Sequence, residues 1–502
     1  MFESAELGHA IPKAAYRREE PRLRQALLEA QYAILEKAMF PVVVLVGGVD
    51  GAGKSETLQK LTEWMDPRHV QAHGIAEPSD EVRERPHMWR FWRALPPKGK
   101  TAVFVGSWYT EPIVRRVEGD MKDASFDAHL EQIVAFEKML TDEGALLVKF
   151  WFHLSKKVQK RRLKELEADK KTRWRVTKED WRRFEEYEHF RTVSERALRE
   201  TSRNEALWTV IEGTDERYRE LTFGRALLAR MKAHLERFTP RGKRAAASRP
   251  GSAPLDVLPV LPAIDRKRVV SSIDLSKRLS EREYDDGLER QQRRLALLRR
   301  EPAFRKRSAV VVFEGVDAAG KGGAIRRVTQ ALDPVHYQVV PIAAPTEEER
   351  AQPYLWRFWR HLPRRGRFTI FDRSWYGRVL VERVEGYAVA KDWTRAYAEI
   401  NDFEEQMSRH GTLVVKFWLQ ISKTEQMRRF RERQEIGFKR FKIGPDDWRN
   451  RGKWSGYESA VCDMVDRTST EIAPWSLIPA EDKRYARVEV LTTLCDRLEA
   501  AL

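Results

Sequence analysis

The sequence predicts an α/β protein built as two tandem copies of a three-layer α/β/α domain, each with a mostly parallel sheet. Three observations carry this. The first is a long internal repeat. VLVGGVDGAGKS (44–55) resembles VVFEGVDAAGKG (311–322), and HMWRFWRALP (87–96) resembles YLWRFWRHLP (354–363). FVGSWYTE (104–111) resembles FDRSWYGR (371–378), and LLVKFWFHLSK (146–156) resembles LVVKFWLQISK (413–423). Lys54 and Lys321, Trp89 and Trp356, Ser107 and Ser374, and Trp208 and Trp475 all stand 267 residues apart. So long a period means duplicated globular domains, because solenoid repeats run at about 20–50 residues. The second observation is that short apolar runs alternate with helix-like stretches, the mark of a parallel sheet covered by helices. The third is that each copy opens this alternation with a glycine-rich turn between an apolar run and a helical pattern.

The second copy shows the elements in order. SAVVVFEG (308–315) is a short apolar run and predicts a buried strand. The turn VDAAGK follows, then a helix from Gly322 to Leu332. HYQVVPI (336–342) predicts a strand, Glu347 to His361 a helix, and RFTIFD (367–372) a third strand ending on an aspartate. Residues 391–410 read as a helix, TLVVKFWLQI (412–421) as a strand, and Lys423 to Gln434 as a helix. WSLIP (475–479) predicts the last strand, with a final helix from Asp482.

Length alone allows about three domains; the repeat reduces the expectation to two. They are residues 1–239 and 263–502, joined by 240–262, PRGKRAAASRPGSAPLDVLPVLP, whose Pro, Ala, Gly and Ser content predicts an extended linker. Lys and Arg number 93 against 76 Asp and Glu, a net charge of +17, which points to an anionic partner such as nucleotide, polyphosphate, nucleic acid or acidic lipid. Charged residues at 34% exclude a membrane protein, and 16 Trp with 22 Phe argue against a disordered chain. The longest apolar run, within Phe40 to Val49, is far short of the roughly 20 residues that span a bilayer. Two cysteines, Cys462 and Cys495, cannot form a disulfide framework or a cysteine zinc site. Cys462 is expected to be a small buried hydrophobe. Glu3 and Glu6 stand where a signal peptide would carry basic residues, so a cytoplasmic location is expected.

Gly48-Val-Asp-Gly-Ala-Gly53-Lys54-Ser55 satisfies the Walker A spacing. Glycines there let backbone N–H groups turn inward, the helix N-terminus adds positive potential, and the lysine reaches phosphates. The second copy, Gly315-Val-Asp-Ala-Ala-Gly320-Lys321-Gly322, lacks the hydroxyl residue that usually holds Mg²⁺. The rest of the site reverses the ranking. The strand FTIFD ends on Asp372, where a Walker B carboxylate would hold magnesium, and Arg373 and Arg378 follow. Their counterparts in the first copy are Val105, Gly106 and Glu111, and Glu382 becomes Arg115. A compact Mg²⁺ site needs one or two carboxylates besides substrate phosphates. The second copy is therefore expected to catalyse. The first, with Asp50, Lys54 and Ser55, is expected to be degenerate and structural or regulatory. That Asp50 alone suffices and both copies work stays open.

Residues 428–442, RRFRERQEIGFKRFK, predict a basic lid. Arg429 and Arg433 lie four apart on one helix face, followed by Lys439, Arg440 and Lys442. A lid would close on phosphate charge and exclude water; a solvated basic helix is the alternative. Leu166 stands opposite Arg433, so this signal is weaker in the first copy. WRFWR stands in both copies, which favours core packing for Trp356 and Trp359 over base stacking.

GVDAAGKGG (315–323), FDRSWYGR (371–378) with VERVEG (381–386), and the ending PW…DKRYAR (474–487) resemble the polyphosphate kinase 2 family. The resemblance covers nearly the whole second half and, in decayed form, the first. The fused pair resembles the two-domain subgroup that phosphorylates AMP. It implies a P-loop kinase-like fold, Mg²⁺, inorganic polyphosphate as donor, a nucleotide as acceptor and catalysis by the C-terminal copy. Carried over, Asp317, Lys321, Asp372 and Arg373 are catalytic, with Asp372 and Asp317 on the metal. Gly315, Gly320, Gly322, Arg378, Arg433 and Lys442 are implied to bind phosphate. Gly377 departs from the family, where Asn is more usual.

The reaction expected is Mg²⁺-dependent transfer of the terminal phosphate of polyphosphate to AMP, giving ADP. The alternatives are transfer to ADP or GDP, an ATP-dependent nucleotide kinase on the same fold, and a non-enzymatic basic nucleic-acid binder. Against the last, no zinc finger or RNA-recognition signature occurs, so no nucleic-acid partner is expected. No membrane partner is expected either. Assembly into a homo-oligomer is compatible with the sequence and not specified by it.

Overall fold

The protein is described by a computed structural model covering residues 1–203, 206–238, 269–435 and 444–502. The predicted linker 240–262 and the lid residues Lys439, Arg440 and Lys442 lie outside the described residues. The chain divides into two units. Unit 1 comprises Met1–Glu77, Arg90–Ser252 and Pro345–Trp356; unit 2 comprises Pro78–Trp89, Ala253–Ala344 and Arg357–Leu502.

Unit 1 holds β1 (Val42–Gly48), β2 (Val70–Gly74), β3 (Thr101–Val105), β4 (Leu146–His153) and β5 (Trp208–Glu212), in the order β2-β3-β1-β4-β5. Unit 2 holds β6 (Ser308–Gly315), β7 (Tyr337–Pro341), β8 (Phe368–Asp372), β9 (Thr412–Gln420) and β10 (Trp475–Pro479), in the matching order β7-β8-β6-β9-β10. Every pairing is parallel. The sheets are thus wholly parallel, and β4 and β6 read as near-continuous apolar runs because both of their faces are covered. In each unit the first strand is central; the chain next forms the edge strand on one side, fills the gap with the third strand, and then crosses to build outward on the other side. That switch point opens a crevice at the strand C-termini, the place where open α/β sheets bind ligands.

The apolar cores sit against these sheets. In unit 2, Val311, Phe313, Ile370, Val415 and Phe417 from the strands meet Val328, Val490 and Leu494 from helices Lys321–Gln330 and Lys483–Ala501. Asp482 caps the latter helix, its side chain accepting from Tyr485 N. The helix expected over 347–361 is broken into Glu347–Arg350 and Trp356–Trp359. Pro353 lies in the gap; it has no N–H to donate, and it disfavours the α conformation at Gln352. Trp359 is buried and packs on Phe403 with ring centroids 4.9 Å apart, as the core reading of WRFWR requires, whereas Trp356 is only half-buried. Cys495 is buried, whereas Cys462, on helix Trp454–Thr468, is only half-buried.

Each core contains the same polar knot. Lys416 on β9 lies 2.7 Å from Glu404, and its ammonium also donates to Tyr376 Oη at 2.8 Å and to Thr468 O at 2.7 Å. Lys149, Glu137, Tyr109 and Thr201 repeat the arrangement in unit 1 at 2.7, 3.2 and 2.9 Å. Burial pushes the Glu404 carboxyl up and the Lys416 ammonium down, and each charge opposes the other's shift. No described helix is long and apolar enough to cross a membrane.

Candidate active site

β6 ends on Gly315 at φ 150°, where a Cβ would lie 2.5 Å from Leu419 O. Only glycine lets the loop leave the sheet this close to β9. Ala318 and Gly320 then take φ 64° and 110°, and Gly320 caps helix Lys321–Gln330. The turn leaves the first N–H groups of that helix facing the loop, an arrangement suited to phosphate. Lys321 Nζ folds back to donate to Gly315 O at 2.8 Å. Burial lowers its pKa, Arg373 lowers it further, and Asp317, Asp372 and Glu314 oppose the shift.

β8 runs beside β6 with Asp372 in register with Phe313, so its terminal carboxylate reaches the loop from the neighbouring strand. The next residue, Arg373, takes the left-handed conformation at φ 64°. Gly106 occupies the same position of unit 1 at φ 73°. The turn is therefore common to both copies, and only unit 2 places a side chain on it, at a conformational cost of order 1 kcal/mol. That guanidinium donates to Asp317 Oδ1 at 3.0 Å. Asp317, Lys321, Asp372 and Arg373 are thus brought together. Arg378 lies beyond the turn and pairs with Glu382 at 3.1 Å. Arg433 is half-buried on helix Lys423–Glu435, within electrostatic reach of Asp447.

Arg429 does not face the crevice as a free clamp. It is buried, and its guanidinium donates to Ala318 O and Ala319 O at 3.0 Å and to Ala480 O at 2.8 Å. It staples the phosphate loop to the segment after β10.

Two side chains escaped the sequence reading. Glu314 is buried directly before the loop and accepts from Ser374 Oγ at 2.8 Å, and burial pushes its carboxyl up. Asn450, on helix Pro445–Gly452, donates to Asp317 Oδ2 at 2.9 Å, and Tyr457 Oη lies 3.1 Å from its Oδ1. The signal for both lay in the offset between copies, since Gly47 answers Glu314 and Arg183 answers Asn450.

No cluster of three or more His, Cys, Asp or Glu side chains able to hold a metal occurs among the described residues. Asp317 and Asp372 offer hard carboxylate oxygens in the small number that suits Mg²⁺ shared with phosphate and water.

The lysine of the first loop folds back on its own loop as Lys321 does, but its neighbours differ. Lys54 Nζ donates to Gly48 O at 2.7 Å and Val49 O at 3.0 Å and lies 3.6 Å from Asp50. Arg183 approaches the other Asp50 oxygen at 3.7 Å. β3 ends on Val105, and Ser55 is exposed. Buried Arg219 fills the space behind Gly53.

A match to the polyphosphate kinase 2 family covers residues 10–239 and 278–502. A Pseudomonas aeruginosa protein named polyphosphate:AMP phosphotransferase is 56% identical over 501 residues, spanning 100% of this chain and 99% of the relative. A second Pseudomonas aeruginosa protein, named ADP-polyphosphate phosphotransferase, is 37% identical over 225 residues, spanning 45% of this chain and 74% of its own length. The crystal structure of a Pseudomonas aeruginosa chain assigned to polyphosphate kinase 2 superposes with a TM-score of 0.87 at 54% identity, covering 100% of this chain and 99% of that one.

Proposed function

The chain belongs to the polyphosphate kinase 2 family, and from that premise we propose that it transfers the terminal phosphate of inorganic polyphosphate to AMP, giving ADP and a chain one phosphate shorter. The observation that carries the choice of acceptor is the likeness, end to end and through both copies, to a protein named for AMP. The relative named for ADP matches less than half of the chain.

The residues of unit 2 fit this chemistry. A phosphate oxygen of AMP forms the new P–O bond, and the phosphoanhydride bond to the terminal phosphorus breaks, its electron pair leaving with the shortened chain. The attacking phosphate has a second pKa near 6, as phosphoesters do, and is largely ionised at neutral pH. No strong general base is then needed. The obstacle is charge: two unit charges 4 Å apart repel by about 4 kcal/mol at an effective dielectric of 20, and each substrate carries several. Lys321, Arg373 and the loop N–H groups are cations and dipoles fixed before the substrates meet, which is the arrangement that favours the transferring group. On this reading Asp317 and Asp372 would hold Mg²⁺, which neutralises phosphate charge when bound. Arg378 and Arg433, with Lys442, are assigned to phosphate. Residues 263–502 are then the catalytic domain, 1–239 the degenerate copy and 240–262 the linker.

The test is an assay with purified protein, Mg²⁺, AMP and long-chain polyphosphate, with no ATP present. ADP in proportion to enzyme is expected, and none from Asp372→Ala. Turnover only when ADP replaces AMP would move the acceptor. Turnover only with ATP as donor would sink the reading.

A further inference from the structure

Beyond the catalytic cluster, a pair of arginines in unit 2 lies along helix Lys321–Gln330. Arg327 Nε and Arg487 Nη1 converge on the buried phenol of Tyr284, at 3.3 and 3.4 Å. Neither guanidinium has an ion-pair partner among the described residues. Two cations on one neutral oxygen, both contacts long, leave most of their donors unspent.

Position ties this pair to the phosphate loop. A Cβ on Gly323 would lie 3.3 Å from Arg487 Nη2, and one on Gly322 would meet nothing within 4 Å. The path from Lys321 along the start of the helix is therefore open over Gly322 and reaches Arg487 at Gly323. A linear polyanion whose end sits in the loop must continue somewhere, and this path is lined by backbone and cations.

Unit 1 supplies the contrast. Glu56 stands at the position of Gly323 and Glu220 at that of Arg487, while Lys60 matches Arg327. Tyr16 there donates to Glu220, and Lys60 pairs with Glu63 at 2.8 Å. Two carboxylates thus stand where unit 2 has a glycine and an arginine. The path that is cationic and open in one copy is acidic and filled in the other, against a background of identical strand order.

We propose that Arg327 and Arg487, gathered at Tyr284 beside Gly322 and Gly323, form the subsite that grips the polyphosphate chain beyond the phosphoryl group being transferred. This rests on the donor assigned above. The subsite engages long chains and leaves short ones ungripped, so it sets chain-length preference.

The experiment compares wild type with Arg327→Ala/Arg487→Ala and with Arg487→Glu, which copies Glu220. KM is measured for long-chain polyphosphate, for tripolyphosphate and for AMP. The double variant is expected to raise the long-chain KM at least tenfold while the tripolyphosphate and AMP values move less than twofold. Arg487→Glu is expected to do worse and Arg487→Lys to recover most of the affinity. The salt dependence of long-chain binding should lose roughly one unit of log–log slope per cation removed, as for other polyanions. An unchanged long-chain KM, or an equal rise for both chain lengths, overturns the proposal. If wild type makes no ADP from polyphosphate, the donor reading fails, and calorimetric binding of long-chain polyphosphate to the same proteins decides the subsite. A tenfold loss in the double variant keeps it, and no loss removes it. Thermal unfolding of each variant separates loss of the subsite from loss of the fold.

Discussion

Asn450 Nδ2 donates to Asp317 Oδ2 at 2.9 Å, and the residue at the matching position of unit 1, Arg183, lies 3.7 Å from Asp50. The amide adds no charge to a carboxylate that already pairs with Arg373, whereas Arg183 brings a second cation to Asp50 beside Lys54. Asn450→Arg is therefore expected to lower kcat/KM by at least about tenfold, near 1.4 kcal/mol, and to raise the Mg²⁺ concentration needed for half-maximal rate. Asn450→Ala should cost less. A steady-state titration of Mg²⁺ with both variants checks this, and wild-type behaviour of Asn450→Arg would dismiss the orienting role.

Lys321→Ala should reduce ADP formation by about 10²–10³-fold, the loss typical of one preorganised charge at a transition state. Lys54→Ala should keep most of the rate, because Val105 and Gly106 stand in unit 1 where unit 2 has Asp372 and Arg373. Near-complete loss in Lys54→Ala would show that both copies work.

Arg373→Gly separates backbone from side chain. Relief of the left-handed strain, about 1 kcal/mol, is offset by the greater freedom of glycine in the unfolded chain. The melting temperature should shift by less than about 3 °C. Transfer should nevertheless fall by about 100-fold or more. Calorimetry beside the activity assay tests the split.

Lys416→Met leaves Glu404 sealed in the core without its cation, which is expected to destabilise unit 2 by about 3–5 kcal/mol. Lys416→Met/Glu404→Leu should cost less than Lys416→Met alone. Denaturant unfolding followed by tryptophan fluorescence gives the comparison. Additive losses would mean that the pair is not coupled.

His73 in unit 1 and His410 in unit 2 have buried Nε2 atoms without hydrogen-bond partners, and burial lowers both pKa values. Below about pH 6.5 the unfolded chain takes up these protons and the folded chain resists them. The unfolded state then binds more protons, so stability is full above that pH and falls as acid is added through the folded pKa values. Melting temperatures at pH 7.5 and 5.5 should differ in that direction. His73→Phe and His410→Phe should flatten the difference.

The architecture was legible because the repeat supplied two readings of each element and the buried strands are continuous apolar runs. β10 was read residue for residue as WSLIP. The helix over 347–361 was misread because a 3.6-residue apolar pattern runs through Pro353, which periodicity does not weigh. Asp317, Lys321, Asp372 and Arg373 were legible as residues next to strand ends, where motif spacing and topology coincide. Asn450 was not, because it reaches Asp317 from 133 residues away and nothing local marks an asparagine in a polar helix. Arg429 shows the opposite failure. Its spacing from Arg433 suggested a shared face toward substrate, but the carbonyls of Ala318, Ala319 and Ala480 take up its donors, a demand that only the folded loop creates.

The polar knot of Lys416, Glu404, Tyr376 and Thr468 and its twin around Lys149 give the chain an internal control. What both halves keep is what folding demands of this architecture. On the proposed function, what only the second half keeps, as at Arg373 and Arg487, is what the reaction demands. Each mismatched pair across the duplication is thus a substitution experiment already performed in nature, with its matched reference carried on the same polypeptide.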